Sequence, residues 1–486
     1  MDYDAQRYLN CLAMLLGMLH KCELPFEQLP SIENYDAVAA ETKSQLDCVW
    51  ERGEELFHAM LDTAVFAQKD SQRGALYVRA AIAALWMDQH ISYQEQPGKH
   101  KLSLYRLVPL RQDKPVFVDG LNTNAEVSGV QLHPRFEVCK VYNQQSGVAE
   151  AFGNRDVYTG LNGKLNNVGY VCCKPGIVIR DVVIPKNREG DTFRIAFCPM
   201  SDAEDLLQLK EQAVEFGDIR MAGRGVASLT REEQLLTRFK EDLTLACRVR
   251  ADVVFFPEML GMKTLEGDDP ETNLTVLDHA LGLMEQAEAV EFPMMICLPT
   301  WWRDGINSAT LVYQDGTILG TQRKYIPYVN EKGRWREALR REPEQEYLIV
   351  HVPGLHRIAV TICAEFPQLR EHMAKTLCSE LCVTLILVPS YSRGEQEFLN
   401  SLPTLKDYGV TVVWGNCCGA VKEPRVIGGC SIAGFDTVHR FGPNCQCEGR
   451  CGDRRACLYL VDIPRYMARE KPFPPERRNP VSHHLL

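Results

Sequence analysis

The sequence predicts a layered α/β domain from about residue 191 to residue 465, preceded by an N-terminal domain (1–190) that is mainly helical to about 95 and then mixed α+β. Two patterns carry this reading. Before residue 95 apolar side chains recur at helical spacing, and after residue 190 short buried strands alternate with amphipathic helices. Leu9, Leu12, Leu15, Leu16 and Leu19 share one helix face, and Ala75–Met87 fits a second, more buried helix. From Ser103 onward the spacing changes to short runs among Gly, Asn and Pro. Leu104–Pro109, Val116–Val118, Val138–Tyr142 and Ile177–Ile184 read as strands. The polar stretch Asn187–Asp191 marks the boundary.

Beyond it, Phe193–Cys198 is a buried strand, and Thr230 with Glu233 forms a capping box opening a helix with Leu235, Leu236, Phe239, Leu243 and Ala246 on one face. Val253–Phe256, Met294–Leu298, Ala309–Tyr313 and Thr317–Gly320 follow as strands, with a helix from Thr275 to about Ala289 between the first two. Asp315-Gly316 signals a hairpin turn. Leu348–Val352, Ile358–Ile362, Thr384–Val388, Val410–Trp414 and Leu458–Val461 complete the strand set. Residues 466–486 read as a solvated, Arg- and Pro-containing tail.

Composition removes several classes. With 486 residues, 45% hydrophobic and 24% charged, the chain is long enough for two or three cores. A formal net charge of -10 argues against a general nucleic-acid binder, because phosphate contacts reward Lys and Arg. The apolar run Tyr8–Leu19 is too short to span a bilayer and lacks a cleavage pattern. The 19 cysteines are scattered without a secretory signal, which points to reduced thiols in a cytoplasm. No internal repeat and no phosphate-binding Gly-rich loop occurs.

Three strand ends carry reactive groups in order: Phe255-Phe256-Pro257-Glu258, Arg323-Lys324-Tyr325-Ile326-Pro327 and Thr361-Ile362-Cys363-Ala364-Glu365. Singly each has an ordinary explanation, as a loop-end Glu, a surface Lys and a packed Cys. Together they suit covalent chemistry. A thiol with a pKa near ~8.5 needs a base, which Glu258 supplies. A developing anion needs a positive charge, which Lys324 supplies with help from the Ala364 backbone N–H.

This ordered set resembles the nitrilase superfamily of carbon–nitrogen hydrolases. The resemblance includes Asn307-Ser308, the Tyr313-Gln-Asp-Gly316 hairpin, Gly320-Thr-Gln-Arg-Lys324, Val388-Pro-Ser390, Trp414-Gly-Asn416 and Gly428–Ile432. It implies a four-layer α-β-β-α sandwich and a Glu258–Lys324–Cys363 triad. It implies hydrolysis of an amide, nitrile or carbamoyl bond of a small molecule through a Cys363 thioester, without a cofactor. It also implies pairing into a homo-dimer or larger homo-oligomer. Within it, Glu331 and Trp335 match the spacing of a second glutamate and a tryptophan after the lysine. Tyr328, Trp335, Glu365, Ser390 and Asn416 are the implied pocket residues. Ala364 departs from the bulky residue that usually follows the cysteine, leaving the substrate class open.

Alternatives remain beside this reading. A Cys-His-Asn arrangement on Cys363 would need His279 or His439. Cys445, Cys447, Cys451 and Cys457 are a weak zinc candidate whose spacing is not that of a double C-x-x-C site. Residues 1–190 carry no nameable motif, and a structural or protein-binding role is their default. The rival function is a nitrilase-like scaffold or effector subunit acting through assembly, as in a bacterial defence system.

Overall fold

The computed structural model describes residues 5–21, 30, 34–52, 73–94, 101–109, 113–136, 165, 167–173, 176–185, 192–201, 206–216, 219–261, 281–282, 291–303, 305–329, 335–368, 374–420, 426–433, 437–442, 456–464 and 480–485. The chain forms two compact units. Met1–Glu137, Gln145–Pro185 and Lys375–Cys382 make the first, and Val138–Gln144, Lys186–Ala374 and Val383–Leu486 the second.

In the first unit, helices α1 (Ala5–Lys21), α2 (Tyr35–Arg52) and α3 (Arg73–Gln89) precede strands β1 (Ile91–Ser92), β2 (Leu102–Ser103) and β3 (Val116–Val118). A one-turn helix, α4 (Ala125–Ser128), leads to β4 (Val130–Pro134), β5 (Val168–Cys172) and β6 (Ile177–Val183). The α1 stripe of Tyr8, Leu9, Leu12, Leu15 and Leu16 is buried against Ala80, Ala84 and Met87 of α3 and Leu132 of β4. Each such fully buried Leu side chain contributes roughly 1.5–3 kcal/mol. Polar groups inside are satisfied: the Tyr8 hydroxyl donates to Met87 O (2.9 Å), and the Asp88 carboxylate accepts from the Asn167 and Val168 amides (both 2.9 Å). The strand expected over Leu104–Pro109 is instead a turn, because the Leu107 and Val108 amides both fold back onto Leu104 O. The Val138–Tyr142 expectation lies outside the described residues.

The second unit contains two larger sheets. The first of them has β7 (Thr192–Phe197), β10 (Val253–Phe255), β11 (Met295–Cys297), β12 (Trp301–Arg303), β13 (Ile306–Tyr313), β14 (Ile318–Arg323), β22 (Cys457–Pro464) and β23 (Val481–Leu485). Its order is β12-β13-β11-β10-β7-β22-β23, with β14 hairpinned onto β13. The other places β16 (Gln345–Val352), β17 (His356–Val360), β18 (Leu385–Ser390), β19 (Thr411–Asn416), β20 (Gly428–Ser431) and β21 (Val438–Phe441) in sequence order across the sheet. Helix α5 (Glu232–Arg248) buries Leu235, Phe239, Leu243 and Ala246 against Ala196, Val254, Ile296 and Leu458 of the first sheet. Phe398 of the short helix Gln396–Ser401 stacks on Trp414 of the other sheet at 4.7 Å. The two sheets meet through Phe197, which lies over Phe441 and against Gly415.

Several features depart from expectation. Helix α5 begins at Glu232 with Arg231 at its N-cap in the left-handed region (φ 59°), and no side-chain cap bond forms there in place of the Thr230–Glu233 box. The end of the expected tail is a strand: β23 pairs antiparallel with β22, and His483 stacks on Tyr459 at 4.6 Å. The helix expected from Thr275 to Ala289 falls almost wholly outside the described residues. A third sheet was not anticipated. Strands β8 (Leu207–Phe216) and β9 (Ile219–Leu229) form a long hairpin, and β15 (Trp335–Glu337) adds to β9 in parallel.

The tightest contact between the sheets supplies a test. A Cβ at Gly415 would stand 2.2 Å from the Phe197 ring. Gly415→Ala is expected to destabilise by about 1–3 kcal/mol through overpacking, read as a lower urea midpoint.

Candidate functional site

Three strand ends of the second unit converge. Strand β10 runs through Phe256 and Pro257 to Glu258, whose amide donates to Ser390 O at 3.4 Å. Strand β14 delivers Lys324, whose amide donates to Asn307 O at 2.8 Å. Strand β17 runs through Thr361 and Ile362 to Cys363, whose amide donates to Pro389 O at 2.9 Å. Cys363 (φ 51°) and Met259 (φ 65°) both adopt left-handed backbone without being glycine. Such conformations cost of order 1–3 kcal/mol each and persist where the surroundings fix them. Cys363 lies two residues before the helical turn Glu365–Gln368.

The ionised groups form one buried cluster. Lys324 Nζ lies 2.7 Å from Glu258 Oε1 and 2.7 Å from Glu337 Oε2, with side-chain exposures of 1%, 1% and 4%. Asn307 Nδ2 donates to both carboxylates, at 2.8 Å to Glu258 Oε1 and 3.1 Å to Glu337 Oε1. The second oxygen of Glu258 accepts from the Tyr391 amide (3.0 Å), and that of Glu337 from the Tyr328 amide (3.0 Å). Glu258 is also close enough to Cys363 for its charge to act on the thiol. Two of the three ammonium hydrogens of Lys324 are thus committed, and the third is available to an incoming group.

Charges tune one another here. Burial pushes the Cys363 thiol well above its ordinary pKa, the Glu258 charge adds to this, and Lys324 opposes it. The resting sulfur is therefore a thiol. For Lys324, burial works to lower the pKa, but Glu258 and Glu337 outweigh it and hold the ammonium charged.

The remaining expected residues fall into three groups. Glu331 lies outside the described residues, and Glu337 is the second glutamate that touches Lys324. Its sequence signal was weak but present. In Trp335-Arg336-Glu337, alternation puts Glu337 on the same strand face as Trp335. Trp335 is half-buried, with Tyr328 tilted against it at 5.5 Å and the Arg224 guanidinium 4.8 Å above its ring. The Ala364 amide follows the thiol directly, and no described group accepts from it. Three pocket candidates act as braces. Ser390 Oγ accepts from Trp414 Nε1 (2.7 Å) and donates to Gly415 O (3.2 Å). Asn416 clasps Ser392 through both its backbone groups. Glu365 accepts from the amides of Tyr325 (2.6 Å), Ile326 (3.3 Å) and Ile362 (2.9 Å), tying the chain beyond Lys324 to the chain before Cys363. These polar groups are consumed by backbone that burial would otherwise leave unpaired.

Among the described residues, no group of three or more His, Cys, Asp or Glu side chains is arranged to hold a metal ion. Cys445, Cys447 and Cys451 lie outside them, while Cys457 Sγ faces His483 Nε2 at 3.0 Å. No described helix is long and apolar enough to cross a membrane.

Two outcomes test this electrostatic account. Lys324→Met leaves Glu258 and Glu337 buried and facing each other, and should cost about 3–5 kcal/mol in chemical denaturation. Burial pushes Glu365 up to about 7, against its amide donors and Lys324. The folded state then holds a proton that the unfolded carboxyl releases in its ordinary range. That contribution to stability is full below the ordinary range and lost as pH rises through about 7. Tm should fall across this window in the wild-type protein, and Glu365→Gln should flatten the fall while lowering Tm throughout.

No family model matches the chain, and no curated protein matches it either. Solved structures do. A cysteine mutant of the Nesterenkonia AN1 amidase from the nitrilase superfamily is 17% identical, covering 58% of this chain and 93% of that one at a TM-score of 0.36. An amidase from Nesterenkonia sp. is 16% identical over 57% of this chain and 92% of that one, with a TM-score of 0.34. A glutamate mutant of the AN1 amidase, with the acetamide moiety of fluoroacetamide covalently added at its active-site cysteine, is 15% identical over 58% and 93% at 0.35. Likenesses this distant decide nothing about chemistry, which rests on the residues themselves.

Proposed function

We propose that the second unit is a carbon–nitrogen hydrolase on a four-layer α-β-β-α sandwich, acting on an amide, nitrile or carbamoyl bond of a small molecule. The observation that supports it is the buried Lys324 between Glu258 and Glu337, with Glu258 close enough to Cys363 for its charge to act on the thiol. A surface ion pair needs no such burial, and a packing cysteine needs no carboxylate. For an amide, Glu258 takes the thiol proton as sulfur attacks the carbonyl carbon. The negative charge that develops on oxygen is met by the third N–H of Lys324 and the Ala364 amide. Glu258 returns the proton to the leaving nitrogen as the C–N bond breaks, leaving a Cys363 thioester. Water then attacks the thioester, Glu258 accepts its proton, and the acid departs as the thiol re-forms.

In this reading residues 1–190 are an accessory module that adds no group to the chemistry, and the working protein is a cytoplasmic homo-oligomer. Ammonia release across a panel of amides, nitriles and carbamoyl compounds tests the activity, with intact mass spectrometry following an acyl adduct on Cys363. Cys363→Ala should abolish both signals, and Glu258→Gln should abolish turnover. Lys324→Ala should lose on the order of a hundredfold or more, as for removal of one oxyanion donor. A folded Cys363→Ala protein that keeps near-normal turnover would exclude the hydrolase reading. If no compound in the panel turns over or acylates Cys363, the scaffold alternative is favoured.

A further inference from the structure

Behind the charged cluster lies a second line of buried polar groups. Met259, directly after Glu258, donates its amide to Thr300 Oγ1 at 2.8 Å. Thr300 Oγ1 lies 2.8 Å from Asn307 Oδ1, and Asn307 Nδ2 reaches Glu258 and Glu337. Thr300, Asn307 and Glu258 are each 0% exposed. In a chain this dry, the direction of every hydrogen bond can be worked out from its fixed end. A backbone amide can only donate, so the Thr300 oxygen accepts from Met259. Its single hydroxyl hydrogen is then left to donate to Asn307 Oδ1. With Oδ1 held as acceptor, the amide nitrogen of Asn307 must face the two carboxylates. The opposite flip would set a carbonyl oxygen against two negative charges.

We infer that Thr300 and Asn307 are positioning residues of the reaction, a relay that locks the Asn307 amide so that its N–H groups hold Glu258 and Glu337 in place beside Lys324. The left-handed backbone of Met259 is what aims the first donor, so the residue after the base also anchors the group that orients it. Breaking the relay therefore frees the Asn307 amide to turn, and Glu258 loses the fixed geometry in which it accepts the thiol proton. The charged and titratable groups facing Glu258 are Lys324 from the end of β14, Cys363 from the end of β17 and, across Lys324 and Asn307, Glu337 from β15.

The inference rests on the hydrolase reading only for naming Glu258 a base, and its test needs no substrate. The probe is iodoacetamide, with the rate of Cys363 alkylation followed by mass spectrometry at neutral pH. Thr300→Val keeps the shape but removes the hydroxyl, and should slow labelling by about tenfold, the scale of one buried hydrogen bond. Thr300→Ser, which keeps the hydroxyl, should restore the wild-type rate; a purely structural Thr300 would not separate the two variants in this way. Should Thr300→Val fail to fold, the Thr300→Ala and Thr300→Ser pair gives the same reading, since only the second keeps the hydroxyl. A wild-type rate in a folded Thr300→Val or Thr300→Ala protein, or a Thr300→Ser protein as slow as Thr300→Val, overturns the relay. The expected variant losses, with no ammonia released from any compound, would instead overturn the hydrolase reading and leave the relay standing.

Discussion

The arrangement depends on one buried cation. Lys324 sits out of water between two carboxylates, and such a charge is tolerated only when its partners and their hydrogen bonds are complete. That requirement reaches outward through the structure. Glu258 must arrive from β10, Lys324 from β14 and Glu337 from β15, each at a fixed depth. Asn307 on β13 must span both carboxylates, and the Tyr391 and Tyr328 amides must close the remaining oxygens. The cluster carries more negative than positive groups, so a further anion at the sulfur is disfavoured at rest.

Much of this centre could be seen in the sequence because it stands at the ends of buried strands. Apolar runs such as Val253–Phe256 and Ile358–Ile362 leave little choice of secondary structure, and a charged residue where such a run stops is conspicuous. Their order along the chain added what no single residue carried. Glu337 was hidden for the opposite reason. Its strand is three residues long and is secured by pairing with β9 rather than by an apolar pattern of its own. Sequence spacing therefore favoured Glu331.

Three of the expected pocket residues share a structural task. Ser390, Asn416 and Glu365 are polar and close to the reactive strand ends, which is how pocket residues look in a sequence. A strand end that turns sharply also exposes backbone donors and acceptors, and buried side chains nearby must satisfy them. Sequence shows the polar residue but not which demand it meets. The strand Val481–Leu485 escaped notice for a related reason, since its support comes from the ladder with β22 and the stacking of His483 on Tyr459.

The hairpin of β8 and β9 has a consequence for how the centre comes into being. Glu337 reaches Lys324 from a strand whose ladder partner is β9, and the Ala338 amide extends that pairing to Arg224 O at 2.9 Å. The partners are more than a hundred residues apart in sequence, so their pairing closes a long loop and belongs among the slow, late events of folding. Until it closes, Lys324 has one carboxylate instead of two. Maturation of the site is thereby tied to a segment that contributes no reacting atom, and evolution could adjust the strength of the centre from there without touching it.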